Sequence, residues 1–174
     1  MAKNCLGKLT TNFTVGCTIP RVGIKDIYLM HAEDVTFSYS PTSGITAATF
    51  KEGARSYKIE GYKQNIQMTA SLKTTDASAR VDASVTFKLP SSSYVRERAN
   101  ILASRKFYVL VVFNNNESTV LGDTVPLECS SVDFDSNANA AMYTFTLSSP
   151  EGSAGNQGRD ILASVADTII SKSV

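Results

Sequence analysis

The residues able to perform acid–base chemistry are few in this chain of 174 residues. His31 is the only histidine, so a catalytic triad would have to pass through it and a multi-histidine metal site is impossible. It stands in the segment LMHAED, close to Glu33 and Asp34. The sequence has no Gly-x-Ser-x-Gly elbow and no phosphate-binding glycine loop. A lone histidine is more often structural or exposed, so we predict no catalytic residue and no enzymatic activity.

One alternating run of oxygen-bearing side chains has the residue types of a calcium loop. Asp133, Asp135, Asn137 and Asn139 follow the spacing of the first ligands of such a loop. However, an alanine stands where the loop needs its glycine, and a threonine stands where it needs its last glutamate. We therefore interpret the run as a polar turn between two strands, and we predict neither a metal nor a cofactor.

The cysteines provide no framework for a disulfide or a metal site. Cys5, Cys17 and Cys129 are odd in number and widely spaced, which is typical of free thiols in a reducing cytoplasm. No segment reaches the roughly 20 apolar residues that a membrane span needs. We expect synthesis in a cytoplasm and no membrane partner.

The charge balance argues against a surface dedicated to nucleic acid. The chain has 17 basic and 16 acidic residues and a net charge of +1, whereas such surfaces show a strong basic excess. Basic and aromatic residues do interleave locally, which can serve single-strand stacking, and they are Lys51, Arg55, Tyr57, Lys58, Tyr62 and Lys63. Glu52 and Glu60 interrupt this group, and tyrosines on strands more often pack across them, so packing is the favoured interpretation.

The hydrophobic patterns indicate a mainly β chain. Apolar and polar residues alternate over 66–72, 81–89 and 143–147, the period of a strand with one buried face. The linker between the first two is polar and rich in turn residues, which predicts an antiparallel hairpin. Weaker strand patterns span 24–30 and 35–39.

Residues 107–113 are seven uninterrupted apolar residues, which predicts a strand covered on both faces. The three asparagines 114–116 that follow predict a turn tolerant of left-handed backbone, and a shorter partner strand comes next. One of the two covers is expected to be the helix that precedes this strand.

Two segments have helical patterns. Residues 91–106 begin with serines that can cap a first turn and end in basic residues that suit a helix C-terminus. Apolar side chains at helical spacing form one stripe in each segment, and they are Val95, Ala99 and Leu102 in the first and Ile161, Val165 and Ile169 in the second. These patterns predict one domain, an antiparallel β-sandwich or barrel, with a mid-sequence helix packed on it and a possible C-terminal helix.

Three segments resemble small virion proteins of phages that infect Bacteroidota. They are GIKDIYLMHAEDV at 23–35, KFYVLVVFNNNESTVLGD at 106–123 and NAAMYTFTLSSPEG at 139–152. The resemblance implies a tail-tube-like or head–tail ring protein, a β-sandwich or barrel with a helix in mid-sequence. Its expected function is self-assembly into a ring or tube of six or twelve copies, part of the conduit for DNA ejection. Phage DNA would pass through the lumen without sequence-specific binding, and neighbouring tail or connector proteins would be further partners in the tail or neck of the virion.

The resemblance also assigns parts of the chain to assembly. We expect an N-terminal arm of about residues 1–20 and a C-terminal arm of about residues 151–174. The extra C-terminal segment 159–174 departs from the commonest tube pattern, which leaves a tube, a collar ring and a connector as alternatives. Residues 40–56 show little periodicity and are predicted to be a long loop or hairpin, an unusual and often functional feature. In the resembled proteins such a segment reaches a neighbouring ring, so its candidates for contact between subunits are Ser43, Gly44, Ile45, Thr46, Lys51, Glu52 and Gly53.

The alternative is a non-catalytic β-sandwich binding module, for example a capsid decoration or carbohydrate-recognition domain. The chain has no tryptophan, which counts against sugar binding because aromatic platforms usually perform it, although seven tyrosines could substitute.

Overall fold

A computed structural model describes residues 23–41, 43–61, 64–75, 78–137, 141–150 and 158–174, with backbone alone for 73–75 and 78–80. The predicted arm at 1–20 with Cys5 and Cys17, and the first residues of the C-terminal arm, lie outside the described residues. None of the helices in these ranges is long and apolar enough to cross a bilayer.

The described ranges are mainly β and antiparallel, as predicted, and contain two helices. The elements in chain order are β1 (Ile24–His31), β2 (Val35–Ser40), β3 (Gly44–Phe50), β4 (Ser56–Glu60), β5 (Ile66–Thr75), β6 (Ser78–Pro90), α1 (Ser93–Ser104), β7 (Lys106–Phe113), β8 (Ser118–Leu121), β9 (Leu127–Asp135), β10 (Met142–Ser148), β11 (Arg159–Asp160) and α2 (Ala163–Ser171). The described strands form a sandwich-like arrangement and no closed barrel.

The apolar strand β7 is the centre of the larger sheet. Along one edge it pairs with β1, from Phe107 opposite His31 to Phe113 opposite Ile24. Two strands share its other edge, β9 at the beginning of β7 and β8 further along. The sheet continues from β1 to β4, from β8 to β11, and from β9 through β10 and β6 to β5. It therefore divides into two leaves, β4-β1-β7-β8-β11 and β9-β10-β6-β5.

The first hydrophobic core fills the space between the two leaves. Val109 and Val111 of β7 pack in this core with Phe87 and Phe145, whose rings stack with centroids 5.2 Å apart. The helix α1 covers the same core through the predicted stripe, with Ala99 buried and its two neighbours in the stripe partly buried. The predicted packing of the mid-sequence helix on the sheet is confirmed.

The second core lies on the opposite face of β7. Leu110 and Val112 point there and meet Phe37 of β2, Ile45 of β3 and Ile169 of α2. The β2–β3 hairpin and α2 thus form a third layer over the first leaf. The prediction that both faces of 107–113 are covered is confirmed. The elements that cover the second face, the β2–β3 hairpin and α2, were not predicted.

Local predictions of turns and caps are mostly confirmed. The backbone N–H of Asn116 donates to the carbonyl of Phe113 at 3.0 Å, and Asn116 has φ +64°. The Ser92 hydroxyl accepts a hydrogen bond from the Val95 N–H at 3.2 Å and so caps α1. The predicted basic end of this helix is wrong, because α1 ends at Ser104 and the two following basic residues adopt extended backbone at the start of β7.

The segment 40–56 contains the strand β3, which belongs to a hairpin with β2. Residues Gly44–Phe50 form β3, which pairs antiparallel with β2, from Val35 opposite Phe50 to Ser40 opposite Gly44. The sequence of β3, GITAATF, combines isoleucine, threonine and phenylalanine, which suit a pleated strand, with glycine and alanine, which do not. This mixture produces a weak apolar pattern, which is why the strand escaped sequence analysis.

Candidate functional sites at a sheet edge and beneath the helix

The single histidine lies among aromatic rings. His31 is the last residue of β1, and its ring centroid is 5.0 Å from that of Phe107 and 5.6 Å from that of Tyr57. Its Nδ1 atom is buried and has no hydrogen-bond partner in the part of the chain that the structure describes. The neighbouring Glu33 pairs instead with the guanidinium of Arg105. The imidazole is therefore held by ring packing and not oriented by a carboxylate of the described residues.

A cavity of about 370 Å³ opens beside His31, beneath α1. Residues from α1, from strands β1, β4, β6 and β7 and from the C-terminal end of the described chain surround it. Its apolar lining consists of Leu29, Ile59, Leu89, Val95, Ile101, Leu102, Phe107 and Val174, and its polar lining consists of His31, Tyr57, Lys58, Tyr94 and Arg98. The sequence carried no signal for this cavity, because its walls come from segments far apart in the chain.

The two cations of the cavity differ in their partners. Lys58 Nζ lies 3.5 Å from Asp26 Oδ2 and 3.3 Å from Glu60 Oε1. Burial lowers the pKa of Lys58, but the charge of Asp26 and the hydrogen bond to Glu60 outweigh it, and the pKa is raised. The guanidinium of Arg98 stacks on the Tyr94 ring with its carbon 4.0 Å from the centroid. Among the described residues it has no acidic partner, so its charge is available at the cavity.

A second polar cluster fastens the third layer to the sheet. Asp123, in the connection between β8 and β9, has a completely buried side chain that pairs with Arg159 of β11. The hydroxyl of Tyr39 donates to the backbone oxygen of Asp123 at 3.1 Å. Burial, and next the charge of Asp123, raise the pKa of both Tyr39 and Tyr108. This cluster joins β2, β7 and β11, and its groups are engaged with one another.

The run that resembled a calcium loop forms a turn in the described residues. The backbone N–H of Asn137 donates to the Asp135 carboxylate at 2.8 Å, so this carboxylate closes a turn after β9. Asn139 lies outside the described residues. No group of three or more histidine, cysteine, aspartate or glutamate side chains in the described ranges could hold a metal ion. Burial raises the pKa of the nearby Cys129 thiol, which donates to the carbonyl of Ser131.

The basic-aromatic group does not form one stacking surface in its described part. Tyr57 packs edge-on against His31, and Lys58 is ion-paired. Lys51 and Arg55 lie in the connection between β3 and β4, whereas Tyr62 and Lys63 are outside the described residues. The interpretation of Tyr57 as a packing residue agrees with its contact to His31.

The predicted contact residues of segment 40–56 separate into two groups. Ser43, Lys51, Glu52 and Gly53 are exposed, and Thr46 is half-buried. Ile45 is completely buried in the second core, so its side chain presents no surface to another subunit. Gly44 packs closely on β11, since a Cβ atom at this position would lie 2.2 Å from the carbonyl oxygen of Asp160.

The open edge of the second leaf is the most extended unpaired surface of the described strands. β5 pairs with β6 along its whole length, from Ile66 opposite Phe87 to Thr75 opposite Ser78, and no other described strand pairs with β5. β10 accompanies β6 only from Ser84 to Pro90. Residues 71–75 and 78–82 therefore extend beyond the sheet as a two-stranded ribbon. Sequence analysis predicted this hairpin but not its position at the edge.

The fold and these surfaces define the chain as a mainly antiparallel β-sandwich protein with helices packed on it. No protein-family model, curated protein or solved structure matches the chain.

Proposed function

We propose that this chain is a structural subunit of a phage particle that self-associates into a ring or tube of the tail or the head–tail connector. The observation that carries this proposal is the open edge of β5, together with the ribbon that β5 forms with β6. The resemblance of segments 23–35, 106–123 and 139–152 to virion proteins supports the assignment to a particle.

An open edge strand presents unpaired backbone groups to any strand that approaches it. β5 has ten residues, which is long for an edge strand, and Lys73 is its only charged residue. Proteins that remain monomeric usually shorten, charge or cover such edges. Leu72, on the ribbon, is 55% exposed. These features favour an edge that another strand completes.

The ribbon supplies a second argument for association. Two-stranded hairpins are at best marginally stable in water when they stand alone. The ribbon of 71–75 and 78–82 has no third strand among the described residues, so a surface of another subunit would stabilise it. We therefore place the principal contact between subunits on 66–83, and the exposed residues of segment 40–56 become secondary candidates.

Head-to-tail pairing of edges generates a closed ring when the rotation between subunits closes. In the proposed assembly β5 of one copy adds to the sheet of the next, and six or twelve copies enclose a lumen. Neighbouring tail or connector proteins contact the ring, and phage DNA passes through it. The near-neutral net charge of +1 suits passage without sequence-specific binding.

The alternative of a carbohydrate-recognition module has less support from the surfaces described. Sugar sites usually present aromatic platforms, whereas the cavity beneath α1 is lined mainly by aliphatic residues.

The test is the association state of the purified chain. It is measured by sedimentation velocity over a concentration series and by electron microscopy. We expect rings or short tubes, and we expect Leu72→Lys to weaken association at least about tenfold, the effect of losing one important interface residue. Phe134→Lys is the matched control, because Phe134 is similarly exposed (52%) but lies on the interior strand β9. The proposal is contradicted if the chain stays monomeric at every concentration and forms no ring. It is also contradicted if the two variants weaken association equally.

A further inference from the structure

We propose that the cavity beneath α1 binds a small amphipathic carboxylate, a molecule with an apolar body and one anionic head. This inference is independent of the proposed assembly, because the cavity and the open edge of β5 share no residue.

The size and lining of the cavity suit the apolar body of such a ligand. Its volume of about 370 Å³ lies within the range of small-molecule sites, roughly 300–1,000 Å³. Its walls are mainly aliphatic, from Leu29 and Ile59 on the sheet to Val95 and Leu102 on α1. An aliphatic or small aromatic body would remove this surface from water.

Exposed apolar side chains are concentrated at this cavity. Eight large hydrophobic residues of the described chain are exposed, and four of these line the cavity: Tyr57, Tyr94, Ile101 and Val174. Scattered exposed apolar residues need no explanation, but a group around one concave site indicates a binding surface. A ligand that reaches the mouth of the cavity would cover them.

The charges of the cavity favour an anionic head. Arg98 lines it, and no aspartate or glutamate side chain does so among the described residues. Lys58 contributes to the wall, but its ammonium lies with Asp26 and Glu60 on the other face of β4 and presents no charge to the cavity. Arg98 is the stronger candidate for contact, since its guanidinium rests on the Tyr94 ring without an acidic partner in the described chain. Lys58 already pairs with two carboxylates. A guanidinium can bind a carboxylate through two parallel hydrogen bonds.

The imidazole of His31 lies at the wall of the cavity and can report on its occupancy. Its Nδ1 atom is buried and has no hydrogen-bond partner in the described part of the chain, so this atom is closed to the cavity. The anionic head of the ligand is therefore assigned to the exposed guanidinium of Arg98.

The experiment titrates the full chain with octanoate below its micelle concentration, by calorimetry and by NMR. Because His31 is the only histidine, its ring signals are identified without assignment. We expect saturable binding at one site and a shift of the His31 ring signals over the same concentration range. Octanol, which has the same body without the charge, should bind at least about tenfold more weakly, and octyltrimethylammonium weaker still.

Two variants on the exposed side of α1 separate the role of the charge from effects on folding. Arg98→Gln should weaken octanoate binding about tenfold or more, the contribution of a charge-assisted hydrogen bond. Arg96→Gln removes the same charge from the same helix but away from the cavity lining, and it should leave the affinity unchanged. No octanoate binding, unmoved His31 signals, equal affinity for octanol, or an unchanged affinity of Arg98→Gln would each overturn the proposal.

Discussion

The guanidinium Nε of Arg159 lies 2.8 Å from Oδ2 of Asp123, and the side chain of Asp123 is completely buried. The two residues are 36 positions apart, in β11 and in the connection that follows β8. Arg159 also stacks on Tyr39 of the β2–β3 hairpin, with its guanidinium carbon 4.7 Å from the ring centroid. The ion pair therefore holds β11 to the connection after β8, and the contacts of Tyr39 with both residues link the third layer to the first leaf.

Replacing Asp123 should destabilise the fold strongly. In Asp123→Asn the positive charge of Arg159 loses its buried partner, and breaking such a pair typically costs 3–5 kcal/mol. Because the Arg159 side chain is 36% exposed and water can solvate it, we expect the lower part of this range, about 3 kcal/mol. Urea unfolding followed by circular dichroism measures the loss. Asp133→Asn, at an exposed position of β9, is the control and should change stability by less than about 0.5 kcal/mol. Equal stability of the two variants would show that the pair contributes nothing.

Two glycines with similar backbone conformation should respond differently to alanine. Gly44 has φ +72° and Gly53 has φ +77°, and each substitution incurs the cost of a left-handed residue, about 1–2 kcal/mol. At Gly44 the new Cβ would also lie 2.2 Å from the carbonyl oxygen of Asp160, whereas at Gly53 it would meet nothing within 4 Å. We expect Gly44→Ala to cost at least about 2 kcal/mol more than Gly53→Ala, because backbone must move apart. Thermal unfolding of the two variants tests the difference, and similar melting temperatures would contradict the close packing of β3 on β11.

The cap of α1 should have a measurable effect. Ser92→Ala removes the hydroxyl that accepts from the Val95 N–H and should cost about 1 kcal/mol of the free energy of unfolding. Ser91→Ala is the neighbouring control, since Ser91 contributes a backbone N–H bond to Ala141 that alanine retains. The two variants are compared by urea unfolding. A larger loss for Ser91→Ala would place the helix start one residue earlier.

Alkaline pH should destabilise the folded chain. Burial raises the pKa of Tyr108, and the charge of Asp123 raises it further. The unfolded chain then releases this proton near the ordinary tyrosine value of about 10, before the folded chain does. The contribution to stability is thus complete below about pH 10 and is lost as pH rises through the higher pKa of the folded state.

Tyr108→Phe should therefore reduce the loss of stability between about pH 9 and pH 11, measured by urea unfolding across this range. The exposed Tyr94, for which no such burial applies, provides the control variant Tyr94→Phe. An identical pH profile in wild type and Tyr108→Phe would remove Tyr108 as a source of the alkaline loss. The raised pKa values of Tyr28 and Lys58 act in the same direction, so part of the loss should remain in the variant.

The sequence by itself determined most of the local structure. Alternation of apolar and polar residues located β5, β6 and β10, the helical stripe located α1, and seven consecutive apolar residues marked β7 as covered on both faces. These features follow from side-chain periodicity and from the conformational preferences of serine and asparagine, which act over a few residues. The strand β3 was missed because alanine and threonine do not mark an apolar face clearly.

Only the tertiary structure decided which surfaces these elements share. The three partners of β7, the second core beneath the β2–β3 hairpin and the open edge of β5 all depend on pairings between distant segments. The cavity depends in the same way on the position of α1 over β1 and β4, and so does the environment of His31. Periodicity records which face of an element is buried but not what buries it, since packing selects the partner by shape and by the register of non-local strands.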